Sequence, residues 1–184
     1  MRTVLDRAPF TRKGFAAALV LLCGASVGQA AVITWTASLT GAAESPPNAS
    51  PGIGFTQVDF DTVALTMRVR VTFSGLLGNT TASHIHAATA VAGVGTAGVA
   101  TQTPSFSGFP LGVKAGAMDT TFDMTLASSF NASYIAAHGG TPASARADLF
   151  LAFDQGKAYF NIHSASFGGG EIRGFLARTC LPDF

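Results

Sequence analysis

The strictest constraint on the fold of this chain is a nine-residue segment in which apolar and polar side chains alternate without a break. Across residues 65–73, apolar side chains occupy the odd positions, and Thr or Arg occupies the even positions. Successive side chains of a β-strand point to opposite faces, so this pattern indicates a strand with one buried face. The same alternation at residues 33–39 places Trp35 toward the core. Shorter segments of this kind lie at residues 82–88, 119–126 and 157–163.

The segments between these strands are rich in turn-forming residues. Residues 41–52 contain three prolines, which cannot donate backbone hydrogen bonds, so we predict a loop or a sheet edge there. Farther along, Phe106, Phe109 and Leu111 are candidates to close one end of the core. We predict an all-β fold, an antiparallel sandwich of about seven or eight strands.

One short crossover helix is expected to interrupt the strands. Thr141 is suited to the N-cap and Pro142 to the first helical position. Leu149, Phe150 and Phe153 form an apolar stripe at helical spacing, which predicts packing against a sheet. Gly156 suits the left-handed conformation that ends many helices.

The first 30 residues are typical of a secretory signal peptide. A basic start precedes a short apolar run at residues 14–28, and small residues follow it. We predict cleavage between Ala30 and Ala31, and therefore a secreted protein, periplasmic or extracellular. The apolar run is shorter than the roughly 20 residues that span a bilayer, so no membrane span is expected after cleavage.

The remaining chain gives little support for several function classes. Four of the 11 basic residues and one of the 10 acidic residues precede position 14, so acids slightly outnumber bases in the mature chain. No basic patch stands out, which argues against nucleic acid as a partner. Cys180 cannot form an internal disulfide alone, and it remains open whether it is a free thiol, an intermolecular link or a tolerated tail residue. No catalytic triad, phosphate loop or close acid pair is apparent, so we expect no catalytic activity.

Residues 159–174, YFNIHSASFGGGEIRG, are predicted to form a hairpin. Phe160 and Ile162 alternate with polar neighbours in the first strand, and we expect the glycines at 168–170 to supply the turn. Glu171 and Arg173 lie two apart on the return strand and share a face. We favour an exposed ion pair for them. The alternatives are a supporting role in which they orient His163, and a buried brace in which Arg173 packs against Glu171 or Glu44 and links the last strands to the loop at residues 41–52.

Three histidines are candidate metal ligands. His84 and His86 lie two apart on a predicted strand and therefore point to the same face, and His163 lies on another strand. Imidazole suits copper and zinc, so we predict at most one such ion. The alternative is a structural role, in which these histidines bond to Glu44 or Glu171. His138, in a loop before the helix, is kept apart from this group.

Three blocks of the sequence resemble the CHRD domain, the module that is repeated in the developmental protein chordin and occurs singly in secreted bacterial proteins. The blocks are LTGAAESPPNASPGIGF at 39–55, ASHIHAA at 82–88 and AYFNIHSASFGGGEIRGFL at 158–176, in family order. The resemblance implies a CHRD domain at residues 31–178 and a tail at 179–184. It also implies a noncatalytic binding or structural role with an unidentified extracellular protein or surface partner.

The histidine pattern and the glycine-rich final hairpin also resemble, more distantly, the copper/zinc superoxide dismutases. That resemblance implies a Greek-key sandwich and leaves a copper-handling or dismutase-like metalloprotein as an alternative function. The loop that holds zinc beside copper in those enzymes has no counterpart here, so the resemblance supports the fold and a mononuclear site rather than the activity.

Overall fold

A computed structural model describes residues 32–179, which form an all-β antiparallel domain with two short helices. This confirms the predicted fold class and the number of strands. The predicted signal peptide and Cys180 lie outside the described residues. The strands are β1 (Val32–Thr40), β2 (Ile53–Asp61), β3 (Thr66–Ser74), β4 (Thr80–His86), β5 (Gly116–Asp123), β6 (Tyr159–Ser164), β7 (Phe167–Phe175) and β8 (Ala177–Arg178).

The strands form one curled sheet in the order β4-β6-β7-β1-β2-β3-β5, and β8 pairs with β1. The β1–β2 and β2–β3 pairs are in continuous register along their whole lengths, whereas β1 meets β7 at the single pair Thr40–Arg173. The sheet therefore has two well-paired parts, β4-β6-β7 and β1-β2-β3-β5, which are joined at one narrow point. The core lies on the concave side of this curl.

Alternation along the strands determines which side chains enter the core. Trp35 in β1 and Met67 and Val69 in β3 have no exposed surface, as the period of two predicts. Phe106 and Phe109 are buried as expected, but Leu111 is 53% exposed. The expectation for Leu111 was wrong: it lies in an irregular stretch next to a bend at Gly112, where no strand or helix directs its side chain to the core.

Two helices connect β5 to β6, where the sequence predicted one. The predicted helix is α2 (Pro142–Asp154), and the Thr141 side chain caps it by accepting a hydrogen bond from the backbone N–H of Ser144. Gly156 follows with a φ of 64°. A shorter helix, α1 (Ala132–Ala137), precedes α2. Neither helix, nor any other within residues 32–179, has the length and apolarity needed to cross a membrane.

Two aromatic side chains of α2 pack against Trp35 of the sheet. Phe150 meets Trp35 edge-on at 5.4 Å between ring centroids, and Phe153 lies 5.2 Å from the same ring. Such pairs each contribute about 0.5–1.5 kcal/mol beyond the area that they bury. The predicted packing of the apolar stripe against the sheet is therefore confirmed.

The final hairpin forms, but its turn lies elsewhere than predicted. Residues 165 and 166 make the turn, and the three glycines at 168–170 belong to β7. Only Gly170 of the three has a positive φ, 133°, and a Cβ there would lie 2.5 Å from Oε1 of Glu44. The requirement for glycine therefore comes from the close approach of the loop at residues 41–52, which we call the proline loop, and not from a turn.

Candidate metal centre

The register between β4 and β6 brings the three predicted histidines together. Ala82 pairs with His163, and His84 pairs with Asn161 two residues along each strand. One ring nitrogen from each of His84, His86 and His163 lies within 4.8 Å of the others. The ring centroids of His84 and His163 are 5.2 Å apart. His84 and His86 are buried, and His163 is half-buried and forms the outward side of the group.

Each ring is anchored by a backbone carbonyl. Nε2 of His84 lies 2.8 Å from the Pro104 oxygen, Nδ1 of His86 lies 2.9 Å from the Ala97 oxygen, and Nδ1 of His163 lies 2.9 Å from the Gly168 oxygen. A carbonyl oxygen only accepts hydrogen bonds, so each of these nitrogens carries a proton. In a neutral ring the other nitrogen then holds a free lone pair: Nδ1 of His84 and Nε2 of His86 and His163.

Two of these remaining nitrogens have no hydrogen-bond partner although they are buried. They are Nδ1 of His84 and Nε2 of His163. A buried polar atom without a partner costs about 1–3 kcal/mol, and such an atom in a native protein calls for an explanation. A metal ion between the rings would satisfy both atoms at once.

The surroundings of the rings keep them neutral. Burial lowers the pKa of His84 to about 4, although the hydrogen bond to Pro104 opposes this shift. Burial also lowers the pKa of His86 and of His163, and the neighbouring imidazoles add to the effect at His84 and His86. Neutral imidazole is the form that binds metal ions, so the rings need not lose a proton at neutral pH.

The donor set fits one copper or zinc ion. Bonds of about 2.0–2.1 Å to zinc would bring the three nitrogens to about 3.3–3.6 Å from one another. The three nitrogens now lie within 4.8 Å of one another, so the distances between them would have to shorten by little more than about 1 Å. Three imidazoles with a fourth position open toward solvent are a known arrangement for zinc, and imidazole suits copper equally. Each ring also has the backbone hydrogen bond that typically orients a ligating histidine.

Two further residues, which the histidine spacing alone did not indicate, contact the ring of His86. The ring of Tyr159 stacks on His86 with centroids 4.8 Å apart and planes 4° apart. The side-chain amide of Asn161 lies 3.0 Å from Nε2 of His86. Both residues share a face of β6 with His163, since they precede it by four and two positions. That spacing was a usable sequence signal.

Arg173 is buried and lies beside Tyr159, the residue that stacks on His86. Its guanidinium lies 4.8 Å above the Tyr159 ring and donates hydrogen bonds to the backbone oxygens of Ala43 and Gly95. Its carboxylate partner is Glu44, at 3.7 Å, and both side chains are nearly inaccessible to solvent. The expected exposed pair with Glu171 was wrong, because the proline loop and the loop after β4 cover this part of β7.

Glu171 is a buried anchor for backbone and hydroxyl groups. It accepts hydrogen bonds from Ser50, from Ser164 and from the backbone N–H groups of residues 77 and 78. Burial raises the pKa of Glu171, but these hydrogen bonds outweigh burial and hold the pKa below its usual value. The hydrogen-bond partners of Glu171 are thus other groups than the histidines. The histidines bond to backbone carbonyls and to Asn161, so the alternative in which they bond to Glu44 or Glu171 was wrong. His138 lies outside the group and pairs with Asp148 at 2.8 Å.

The fold and this site together define a β-rich domain with a candidate mononuclear metal centre built from three histidines. The family model of the CHRD domain matches residues 35–176, most of the chain. The chain therefore belongs to the CHRD domain family, as the three sequence blocks predicted. No curated protein and no solved structure matches it significantly.

Proposed function

We propose that this protein is a secreted CHRD-domain module that binds one transition-metal ion, copper or zinc, through His84, His86 and His163. The observation that carries the proposal is the convergence of three imidazole nitrogens within 4.8 Å of one another. Two of the free nitrogens are buried without a partner, which favours an occupant over a purely structural role. The role of the site is noncatalytic: it serves binding or structure.

A copper-handling protein is the second candidate, and the partial exposure of the His163 side chain favours it, although its Nε2 atom is buried. A site that is only partly covered can exchange its ion with a carrier, whereas a closed structural site retains it. Within residues 32–179 the group contains three histidines and no carboxylate or thiol. That donor set supports a single ion of copper or zinc rather than a pair of bridged ions.

Metal analysis of the mature chain, residues 31–184, tests the site. We expect up to one equivalent of copper or zinc per chain after export by a secreting host, and loss of that metal in His84→Ala and His163→Ala. His138→Ala is the matched control, since this histidine lies outside the group, and it should retain the metal. Circular dichroism establishes that each variant is folded.

The competing results are distinct. Metal-free protein whose melting temperature does not respond to added copper or zinc would overturn the proposal and leave the histidines as structural residues. Retention of full metal content in His84→Ala would place the ion elsewhere. With Cu²⁺, electron paramagnetic resonance should show nitrogen couplings from imidazole, and their absence would count against this ligand set.

The proposal of export rests on the sequence of residues 1–30, and the proposal of an extracellular protein or surface partner rests on the resemblance to chordin. Mass spectrometry of the exported protein should find Ala31 as the first residue. Protein that stays in the cytoplasm with residues 1–30 attached would contradict the proposal of export. Cross-linking on intact secreting cells, with the exported chain as bait, tests for a surface partner.

A further inference from the structure

Each histidine of the candidate site has one ring nitrogen that is not bonded to a backbone carbonyl. Only in His86 does this nitrogen have a hydrogen-bond partner among the described residues, the side-chain amide of Asn161. Asn161 lies in the middle of β6, is 2% exposed and pairs in register with His84 on one side and Arg173 on the other. Oδ1 of its side-chain amide lies 3.0 Å from Nε2 of His86. The corresponding nitrogens of the other two rings have no partner. The three nitrogens that would bind an ion therefore differ: those of His84 and His163 have no hydrogen-bond partner, and Nε2 of His86 has one.

The contact persists whichever protonation state His86 adopts. Nδ1 of His86 is committed as a donor to Ala97. The atom that faces Nε2 is Oδ1 of Asn161, which accepts from Nε2–H when the ring is charged; in a neutral ring Nε2 is an acceptor, and the amide turns over so that its NH₂ group donates. The amide nitrogen and oxygen exchange places by a half-turn of the side chain, so both arrangements fit the same position.

Metal binding and this hydrogen bond exclude each other. An ion that binds Nε2 of His86 either takes the lone pair that accepts from the amide NH₂ group in the neutral ring, or replaces the proton that Nε2 donates to Oδ1 in the charged ring. The Asn161 side chain must therefore rotate away before His86 completes the ligand set. His86 itself keeps its orientation without Asn161, because Ala97 and the stacked Tyr159 ring still hold it.

We propose that Asn161 is a latch that holds Nε2 of His86 in the metal-free protein and releases it to an incoming divalent transition-metal ion. This inference rests on the proposed function and adds a residue that sets affinity. Removal of the amide abolishes a competing hydrogen bond, so Asn161→Ala should bind zinc roughly 2- to 10-fold more tightly than the wild type. A residue that merely braced the site would give the opposite result, since its loss loosens the ligands.

Zinc titration by calorimetry of the wild type, Asn161→Ala and Asn161→Asp tests the latch. Asn48→Ala is the control, because Asn48 also makes partly buried side-chain hydrogen bonds to β7, through the Gly170 and Glu171 backbone oxygens, and has no hydrogen bond to the three histidines. It should leave the zinc affinity unchanged. A nuclear magnetic resonance measurement on the wild type is independent of any variant. The side-chain NH₂ of Asn161 should exchange slowly with solvent in metal-free protein and faster when zinc saturates the site.

The outcomes separate the latch from the metal site itself. Tighter binding by Asn161→Ala supports the latch, and so does zinc binding by that variant when the wild type binds none. A wild type that binds zinc while Asn161→Ala binds equally or more weakly overturns the latch alone; tighter binding by Asn161→Asp would then identify residue 161 as a ligand. No binding by any of the three overturns both proposals. If Asn161→Ala does not fold, unchanged amide exchange on zinc saturation overturns the latch.

Discussion

Gly170→Val measures how much of the stability of the domain depends on the close approach of the proline loop to β7. A Cβ at residue 170 would lie 2.5, 2.8 and 2.9 Å from three atoms of the Glu44 carboxylate, distances that real Cβ atoms essentially never show. Glu44 is buried and paired with Arg173, so it cannot move aside without losing that partner. The φ of 133° adds backbone strain for any residue with a Cβ.

These two effects set the expected magnitude. Backbone strain of this kind costs about 1–3 kcal/mol, and forcing extra atoms into a packed site costs about another 1–3 kcal/mol. We therefore expect Gly170→Val to lower the free energy of unfolding by at least about 2 kcal/mol. Gly169→Val is the matched control, because residue 169 is exposed and a Cβ there meets nothing within 4 Å. It should change stability by less than about 0.5 kcal/mol.

Urea unfolding followed by tryptophan fluorescence suits the measurement, since Trp35 is the single tryptophan of the chain and is fully buried. Comparison of Glu44→Ala/Gly170→Val with Glu44→Ala separates the two causes. Gly170→Val should cost less in the Glu44→Ala background than in the wild type because the contact is gone, and the cost that persists reports the backbone strain. Equal stabilities of Gly169→Val and Gly170→Val, within about 0.5 kcal/mol, would refute this account of β7.

Three further predictions concern buried charge and helix capping. Arg173→Ala should destabilise the domain by about 3 kcal/mol or more because it removes a buried guanidinium that pairs with Glu44 and donates to the backbone oxygens of Ala43 and Gly95, whereas Arg178→Ala, at an exposed pair, should cost at most about 1 kcal/mol in the same urea assay. Burial raises the pKa of Glu44 to about 7 from 4.5, so its contribution to stability is full below pH 4.5 and is lost as pH rises through 7. Glu44→Gln should therefore gain stability relative to the wild type between about pH 5 and 8, and a constant difference in free energy across that range would contradict the assignment. Thr141→Ala should cost about 1 kcal/mol through loss of the α2 cap, and an unchanged thermal midpoint would show that the cap contributes nothing.

The parts of the fold that follow from local rules were predictable from the sequence. A period of two fixes which face of a strand is buried, so the buried positions of β1 and β3 follow from the pattern alone. The start of α2 was also local, since Thr141 and Pro142 supply the cap and the first turn themselves. The position of the turn in the final hairpin could not be predicted from the local sequence. Glycine is permissive in turns and strands alike, and only the approach of Glu44 explains why Gly170 is needed in β7.

The three candidate ligands were predictable from the sequence, and the spacing of Tyr159 and Asn161 from His163 was a usable signal for two supports, but the loop groups that anchor the rings were not predictable. The pleat of β4 puts His84 and His86 on one face in any fold that keeps this strand. The arrival of His163 beside them depends on the register between β4 and β6, which no local pattern specifies. The carbonyls that anchor the rings are backbone groups, and their residue types carry no signature of this role. The burial of Arg173 depends on two loops that fold over it.

The same loop carbonyls would link the proposed metal binding to the order of the segment between β4 and β5. Residues 87–115 supply the oxygens of Ala97 and Pro104 that hold two of the rings, and also the Gly95 oxygen that holds Arg173. The rings and the loop therefore fix each other's positions. An ion that binds only the folded chain adds about 2.7 kcal/mol to its stability at a free concentration 100 times the Kd. Because the loop is held by the candidate ligands themselves, that free energy would act on residues 87–115 as directly as on the strands that carry the histidines.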